Sequence, residues 1–227
     1  MPRLEGMVGG VEFDPARSQE RFRVALTDNG CTILLPSLVA RIRRAAANVI
    51  VEVSAWHTDA YQDVAAGRID TALSAEEAPP TLESEVIFDL DFVCLVGSAL
   101  RVRTRRVTLK QYLQFPHALV ESLAGQQTLV DRPLAQLGAK RRVVLSLPFF
   151  VPAIFAITYT DLILTVPRRL AKITAGMAGV RTVEPPREIK AFPYFMAWHP
   201  RLTAEPAHAW FREQLRIAAR AVTPLRT

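Results

Sequence analysis

The sequence predicts an α/β protein with parallel sheets, and three observations carry that prediction. Phe22–Arg44 (FRVALTDNGCTILLPSLVARIRR) reads as a strand, a polar turn and a helix. Strand and helix go on alternating to Ser74, the pattern of βαβ units. The second half repeats the alternation from Ala118 to Thr174, with no internal sequence repeat.

Phe22 to Leu26 alternates and is apolar, as a core strand should be. Thr27-Asp28-Asn29-Gly30 breaks the pattern with turn residues. Leu34, Leu35, Leu38, Val39 and Ile42 then recur at helical spacing. Pro36 falls in the first turn on this reading, where a missing N–H does no harm. Val49–Ala55 is β-branched and reads as a second strand. His57-Thr58-Asp59 enters a short helix, with Asp59 and Gln62 spaced as a capping box and Gly67 as its stop. Ile69–Ser74 is a third strand, and the proline-bearing Ala75–Thr81 a loop.

Glu85–Gly97 is longer than a typical strand, rich in Val, Phe and Leu, and interrupted by Asp89 and Asp91. Arg101–Arg106 is a basic loop, and Thr108 caps a short helix reaching Phe115. Ala118–Glu121, Arg142–Leu147 and Leu162–Val166 read as strands. Gln126–Leu137, stopped by Gly138, and Phe150–Thr158 read as helices. Pro167 opens a helix over Arg168–Thr174, Pro193–Trp198 is a strand, and a last helix runs to Ala221.

The chain has 227 residues, half of them hydrophobic, enough for one large domain or two small ones. No apolar run reaches the length of a membrane helix, and Met1–Gly10 has no signal-peptide core. The expectation is a cytoplasmic protein with no membrane partner. Cys31 and Cys94 are far apart, so a disulfide framework is not expected. The net charge of +6 comes mostly from dispersed Arg pairs such as Arg43-Arg44, Arg105-Arg106, Arg141-Arg142 and Arg168-Arg169. Most of these read as solvated faces.

Enzyme chemistry finds little footing. The four histidines share no metal-ligand spacing with a Cys or a carboxylate, so no metal and no cofactor are expected. There is no G-x-S-x-G elbow, P-loop or G-x-G-x-x-G motif. A binding site is better provided for. Ligands of open α/β sheets sit beyond the carboxyl ends of strands, where helix N-termini favour anions. Thr27, Asp28, Asn29, Gly30 and Cys31, then His57 and Thr58, occupy such turns in the first half. Ser122, Leu147-Pro148-Phe149-Phe150 and Thr165 do so in the second. Thr27, Asn29 and Thr58 would supply hydroxyl or amide groups, and Phe149 or Phe150 an aromatic wall. The same residues have simpler readings: Thr27 and Thr58 as helix caps, Asp28 as a turn residue, one of the two phenylalanines as core.

Three segments carry a family resemblance: Phe22–Arg44, Thr160–Ala171 (TDLILTVPRRLA), and Trp198-His199 followed by Glu205-Pro206-Ala207. From Phe13 to Leu215 the chain resembles the effector-binding domain of LysR-type transcriptional regulators, near the branch responding to aromatic acids and flavonoids. The resemblance implies two Rossmann-like subdomains linked by two crossing strands, the type 2 periplasmic-binding-protein fold. It implies a lead-in over residues 1–20, a first subdomain from 21–91 and 199–227, and a second from 92–198. The crossings are expected near Asp89–Phe92 and Ala197–Pro200.

The resemblance also implies a small organic effector, anionic or aromatic, in the cleft between subdomains. The site residues carried over are Thr27, Asn29, Gly30, Cys31, Thr58, Ser122, Phe149, Phe150 and Thr165. Phe149 stands where the salicylate-responsive branch resembles a His, which argues against a simple salicylate. Self-association is implied, a dimer or, in the full-length regulator, a tetramer, with Leu34–Arg44 at one interface. DNA would be met only through an N-terminal module, since no helix-turn-helix pattern fits before Phe22. Cys31 at a helix start raises the separate expectation of a reactive thiolate. A free-standing solute-binding protein of the same fold is the alternative.

Overall fold

In a computed structural model, residues 13–121 and 128–222 are described. They form two five-stranded sheets. Strands of the first sheet are β1 (Arg21–Leu26), β2 (Ile50–Ala55), β3 (Thr71–Ser74), β4 (Glu83–Leu90) and β10 (Phe192–Trp198), in the order β2-β1-β3-β10-β4. The second sheet holds β5 (Phe92–Gly97), β6 (Pro116–Val120), β7 (Arg142–Leu147), β8 (Ile163–Pro167) and β9 (Val180–Val183), in the order β7-β6-β8-β5-β9. Helices α1 (Asp28–Ala45), α2 (Ala60–Ala65) and α6 (Pro206–Val222) belong with the first sheet. Helices α3 (Leu109–Gln114), α4 (Asp131–Gln136) and α5 (Phe150–Ala156) belong with the second.

Both sheets are mixed rather than parallel. β1 runs parallel to β2 and β3, and β6 parallel to β7 and β8. β10 is antiparallel to β3 and β4, as β5 is to β8 and β9. The parallel parts are the βαβ stretches legible in the sequence; the antiparallel strands come from the chain passing between sheets. Residues 85–97, expected as one strand, divide at Asp91 into β4 and β5, which pair in different sheets. The return passage lies between Val183 and Phe192, upstream of the expected Ala197–Pro200, because all of β10 pairs inside the first sheet.

Each lobe is layered. On one face of the first sheet α1 and α6 bury Leu34, Leu38, Ile42, Phe211 and Leu215, with Phe22 stacked on Phe211 at 4.4 Å. On the other face α2 packs Ala60 and Val64 against Ala25 and Ala72. β5 shows why a central strand reads as continuously apolar: Phe92, Cys94 and Val96 enter one core, Val93 and Leu95 the other. Phe13 anchors the lead-in by packing on Trp210.

Several boundaries moved for identifiable reasons. α1 starts at Asp28, not after Gly30, because the Thr27 hydroxyl accepts the Gly30 N–H as an N-cap. Pro36 therefore sits inside the helix, where it leaves the Thr32 carbonyl without its usual donor. Asp59 makes no capping hydrogen bond, so no capping box forms at α2. The expected Thr108 cap at α3 forms, and Gln111 completes it as a capping box. Pro167 ends β8 rather than opening a helix, and Leu170–Thr174 is a 3-10 turn. β9 went unread: its four residues are too few for a pattern.

The crossing is held by Arg168. Its guanidinium bonds Asp91, the Phe92 carbonyl and both Glu184 oxygens at 2.9 Å. Arg168→Met should lower stability by about 1–2 kcal/mol, as half-exposed charged hydrogen bonds do. Thermal unfolding should register this as a drop of a few degrees.

Candidate functional site

The carboxyl ends of the strands in both lobes face one cleft of about 150 Å³. Its apolar lining comes from Trp56, Leu90 and Phe92 on one side and Leu119, Val130 and Phe150 on the other. Its polar lining includes Thr27, Asn29, Ser74, Glu76, Glu121, Thr128, Arg132, Arg141, Thr165 and Tyr194.

Thr27, Asn29, Phe150 and Thr165, named from the sequence, come together here. Gly30 and Cys31 lie behind them on α1 and do not border the cleft. Thr58 is exposed in the turn before α2, and Trp56 borders the cleft in its place. Phe149 is 53 % exposed and outside the lining, while Phe150 both borders the cleft and packs against the core of the second lobe. Ser122 lies outside the described residues.

The Thr27 hydroxyl is fully engaged. The buried Tyr194 phenol donates its single proton to the Leu73 carbonyl at 3.1 Å. The Thr27 hydroxyl at 2.7 Å must therefore donate to Tyr194 while accepting from Gly30 N at 3.1 Å. No Thr27 proton is left for an anion. Gly30 belongs to the same unit: a Cβ there would stand 2.6 Å from the Tyr194 oxygen. Close approach, not ligand contact, accounts for this glycine.

Asn29 is the exception to this saturation. It is 4 % exposed, borders the cleft, and neither Nδ2 nor Oδ1 has a hydrogen-bond partner. A buried amide without partners is costly. Of the first turn of α1, only Asn29 borders the cleft.

On the second lobe Arg141, 4 % exposed, corrects the reading of the Arg141-Arg142 pair as solvated. Its Nε and Nη2 grip Asp131 at 2.8 and 2.7 Å, and Nη1 donates to the Tyr112 hydroxyl at 3.3 Å. Tyr112 in turn shares a hydrogen bond of 2.6 Å with Thr165. Burial pushes the Asp131 carboxyl up, but the hydrogen bonds and charge of Arg141 outweigh it and leave it below its ordinary value of 3.8.

Two polar contacts bridge the cleft. Asp28 Oδ2 accepts the Phe150 N–H at 2.7 Å, so the first residue of α1 caps the start of α5. Arg132 on α4 donates to Glu76 at 2.7 Å. Asp28 thus links the lobes instead of bonding its own turn, a contact between residues far apart in sequence.

The thiolate expectation for Cys31 fails on its surroundings. Burial, then the nearby Asp28 carboxylate, raises its pKa. Cys94 is fully buried and pushed up to about 12 by desolvation. Among the described residues no cluster of His, Cys, Asp and Glu could hold a metal, and no helix is long and apolar enough to cross a membrane.

Two α/β lobes joined by two crossings, with a partly apolar cleft between them, define a small-molecule-binding receptor domain. The chain matches the LysR substrate binding domain family over residues 15–220 and belongs to it. Its similarity includes the HTH-type transcriptional activator NagR of Ralstonia sp, 27 % identical over 88 % of this chain and 67 % of that protein. Nodulation protein D 2 of a Bradyrhizobium strain is 28 % identical over 90 % of this chain and 61 % of its own length. The chain thus spans about two-thirds of the length of the curated relatives it matches.

Among solved structures, the probable transcriptional regulator PA0477 from Pseudomonas aeruginosa superposes with a TM-score of 0.81, at 30 % identity over 90 % of this chain and 68 % of that one. The regulatory domain of MexT, a transcriptional activator of the same organism, gives 0.77, at 30 % identity over 88 % and 98 %. The fold is that of LysR regulatory domains, the type 2 periplasmic-binding-protein fold, and the relatives are transcriptional regulators rather than enzymes. Effector binding and oligomerisation go with this family.

Two outcomes follow from the site. Asn29→Leu, which removes an unpartnered amide at similar volume, should stabilise the ligand-free protein by about 1–2 kcal/mol in denaturant unfolding. The Asp131 carboxyl, lowered in the folded state, contributes stability that is present above its unfolded-state value and lost as pH falls through its native one. Unfolding followed from neutral to acidic pH should therefore show a shallower acid-side loss in Asp131→Asn than in the native protein.

Proposed function

We propose that this chain is the effector-sensing part of a bacterial LysR-type transcriptional regulator. A small organic co-inducer binds between the lobes, favours one interlobe angle and shifts the population toward it. In the intact regulator the bias passes through a dimer or tetramer to DNA-reading modules, in the cytoplasm. Asn29, Phe150 and Thr165 are the contacts we assign to the ligand, joined by Trp56; Arg141 stiffens the wall behind Thr165 through Tyr112. Thr27 and Gly30 position them. The observation that carries the reading is the buried amide of Asn29 facing a cleft and lacking any partner.

A thermal-shift panel of aromatic acids, flavonoids, amino acids, amides and aliphatic acids tests it. A true ligand at 100 times its dissociation constant should stabilise by about 2.7 kcal/mol, several degrees here. Phe150→Ala or Asn29→Leu should remove the shift. A hit indifferent to both substitutions would place the ligand elsewhere and defeat the assignment.

A further inference from the structure

We propose that the cleft selects an uncharged, ring-sized molecule with a hydrogen-bond donor beside an acceptor, the pattern of a primary carboxamide or a lactam, and discriminates against organic anions. The inference rests on the cleft being the ligand site and names the chemistry it takes.

Asn29 sets the pattern. Its Nδ2 is an unused donor and its Oδ1 an unused acceptor, 4 % exposed and bordering the cleft. A carboxamide or lactam meets both atoms at once, acceptor to Nδ2 and donor to Oδ1. A carboxylate has acceptors only. It could satisfy Nδ2 but would set a lone pair against Oδ1 and leave that buried oxygen unpaired. Turning the side-chain amide over does not help, since both groups still need partners.

The charges point the same way. An anion site needs cations or N–H groups that are still available. The Arg141 fork is taken up by Asp131, and Arg132 by Glu76. The first N–H of α5 already has the Asp28 carboxylate on it. Glu121, in the lining, accepts from the neutral Ser146 hydroxyl at 2.7 Å, its one side-chain partner among the described residues. Among the described residues, an entering anion would meet guanidiniums already matched and, in the lining, the Glu121 carboxylate with no cationic side chain bonded to it. Residues 122–127, outside the described residues, carry no ionisable side chain. The volume of about 150 Å³ and the walls of Trp56, Phe92 and Phe150 suit a single ring.

Benzamide and benzoate share shape and differ in these features, so the pair is the probe. Backbone and indole NMR shifts of the native chain are followed at millimolar concentrations of each. The expected result is that benzamide moves Trp56 and Phe150 and that benzoate binds about tenfold more weakly or worse, the cost of one unpaired buried group. Asn29→Leu should weaken benzamide by a similar factor while the fold, read from the undisturbed α6 resonances, is kept. Benzoate binding as well as benzamide at Trp56 and Phe150 would overturn the neutral class and leave the cleft reading standing. Benzamide binding that spares those residues would overturn both. No benzamide binding at all would overturn the class, with the cleft judged by the wider panel.

Discussion

The cleft depends on how the chain moves between sheets. It passes once through Asp91, a single residue between β4 and β5, and back through the stretch from Val183 to Phe192. Neither passage is long enough to let the lobes separate, and neither adds strands that would fuse the sheets. Each sheet therefore buries its own faces under its own helices, and the lobes meet at strand ends and helix starts. Arg168 ties Asp91 to Glu184, so both passages are gathered by one guanidinium. Every cleft contact inherits its position from that arrangement.

With strand ends opposed, polar groups crowd the cleft, and most pair with one another. Thr27, Gly30, Leu73 and Tyr194 form one closed hydrogen-bonded unit; Arg141, Asp131, Thr128, Tyr112 and Thr165 form another. Such networks are stiff because each member would be costly to leave unpaired. They make two rigid walls. Asn29 lies between them, outside both, and its unpartnered buried amide is the ground on which a ligand contact is proposed for it.

Local order was legible in the sequence wherever one residue's neighbours decide its state. β1, β2, β7 and α3 stand within a residue or two of their expected positions, since alternation, β-branching and the Thr108 cap are local signals. Non-local pairings were not legible. Nothing near Asp28 announces that it caps α5, more than a hundred residues away. Arg141 looks like its exposed neighbour Arg142 until Asp131 is folded beneath it. Thr58 and Thr27 are chemically alike and follow similar strands, yet one faces solvent and the other the cleft, a difference set by where each turn meets the opposite lobe. The family resemblance supplied the two-lobed architecture, which periodicity alone did not.

The strength of the links across the cleft bears on whether a small molecule could govern the lobe angle. Asp28 to Phe150 N is a charge-assisted bond, of the kind worth about 1.5–3 kcal/mol net. Glu76 with Arg132 is a half-exposed ion pair, worth at most about 1 kcal/mol. Together they hold the lobes by about 1.5–4 kcal/mol, the same order as a typical allosteric coupling of about 1–3 kcal/mol. A much stronger latch would hold the lobes in one arrangement whatever was bound. A weaker one would leave the cleft open to water, and Asn29 would find partners without a ligand. A pair of contacts of this strength is of the order that one well-placed ligand hydrogen-bond pair could offset, which is the condition the proposed population-shifting sensor must meet.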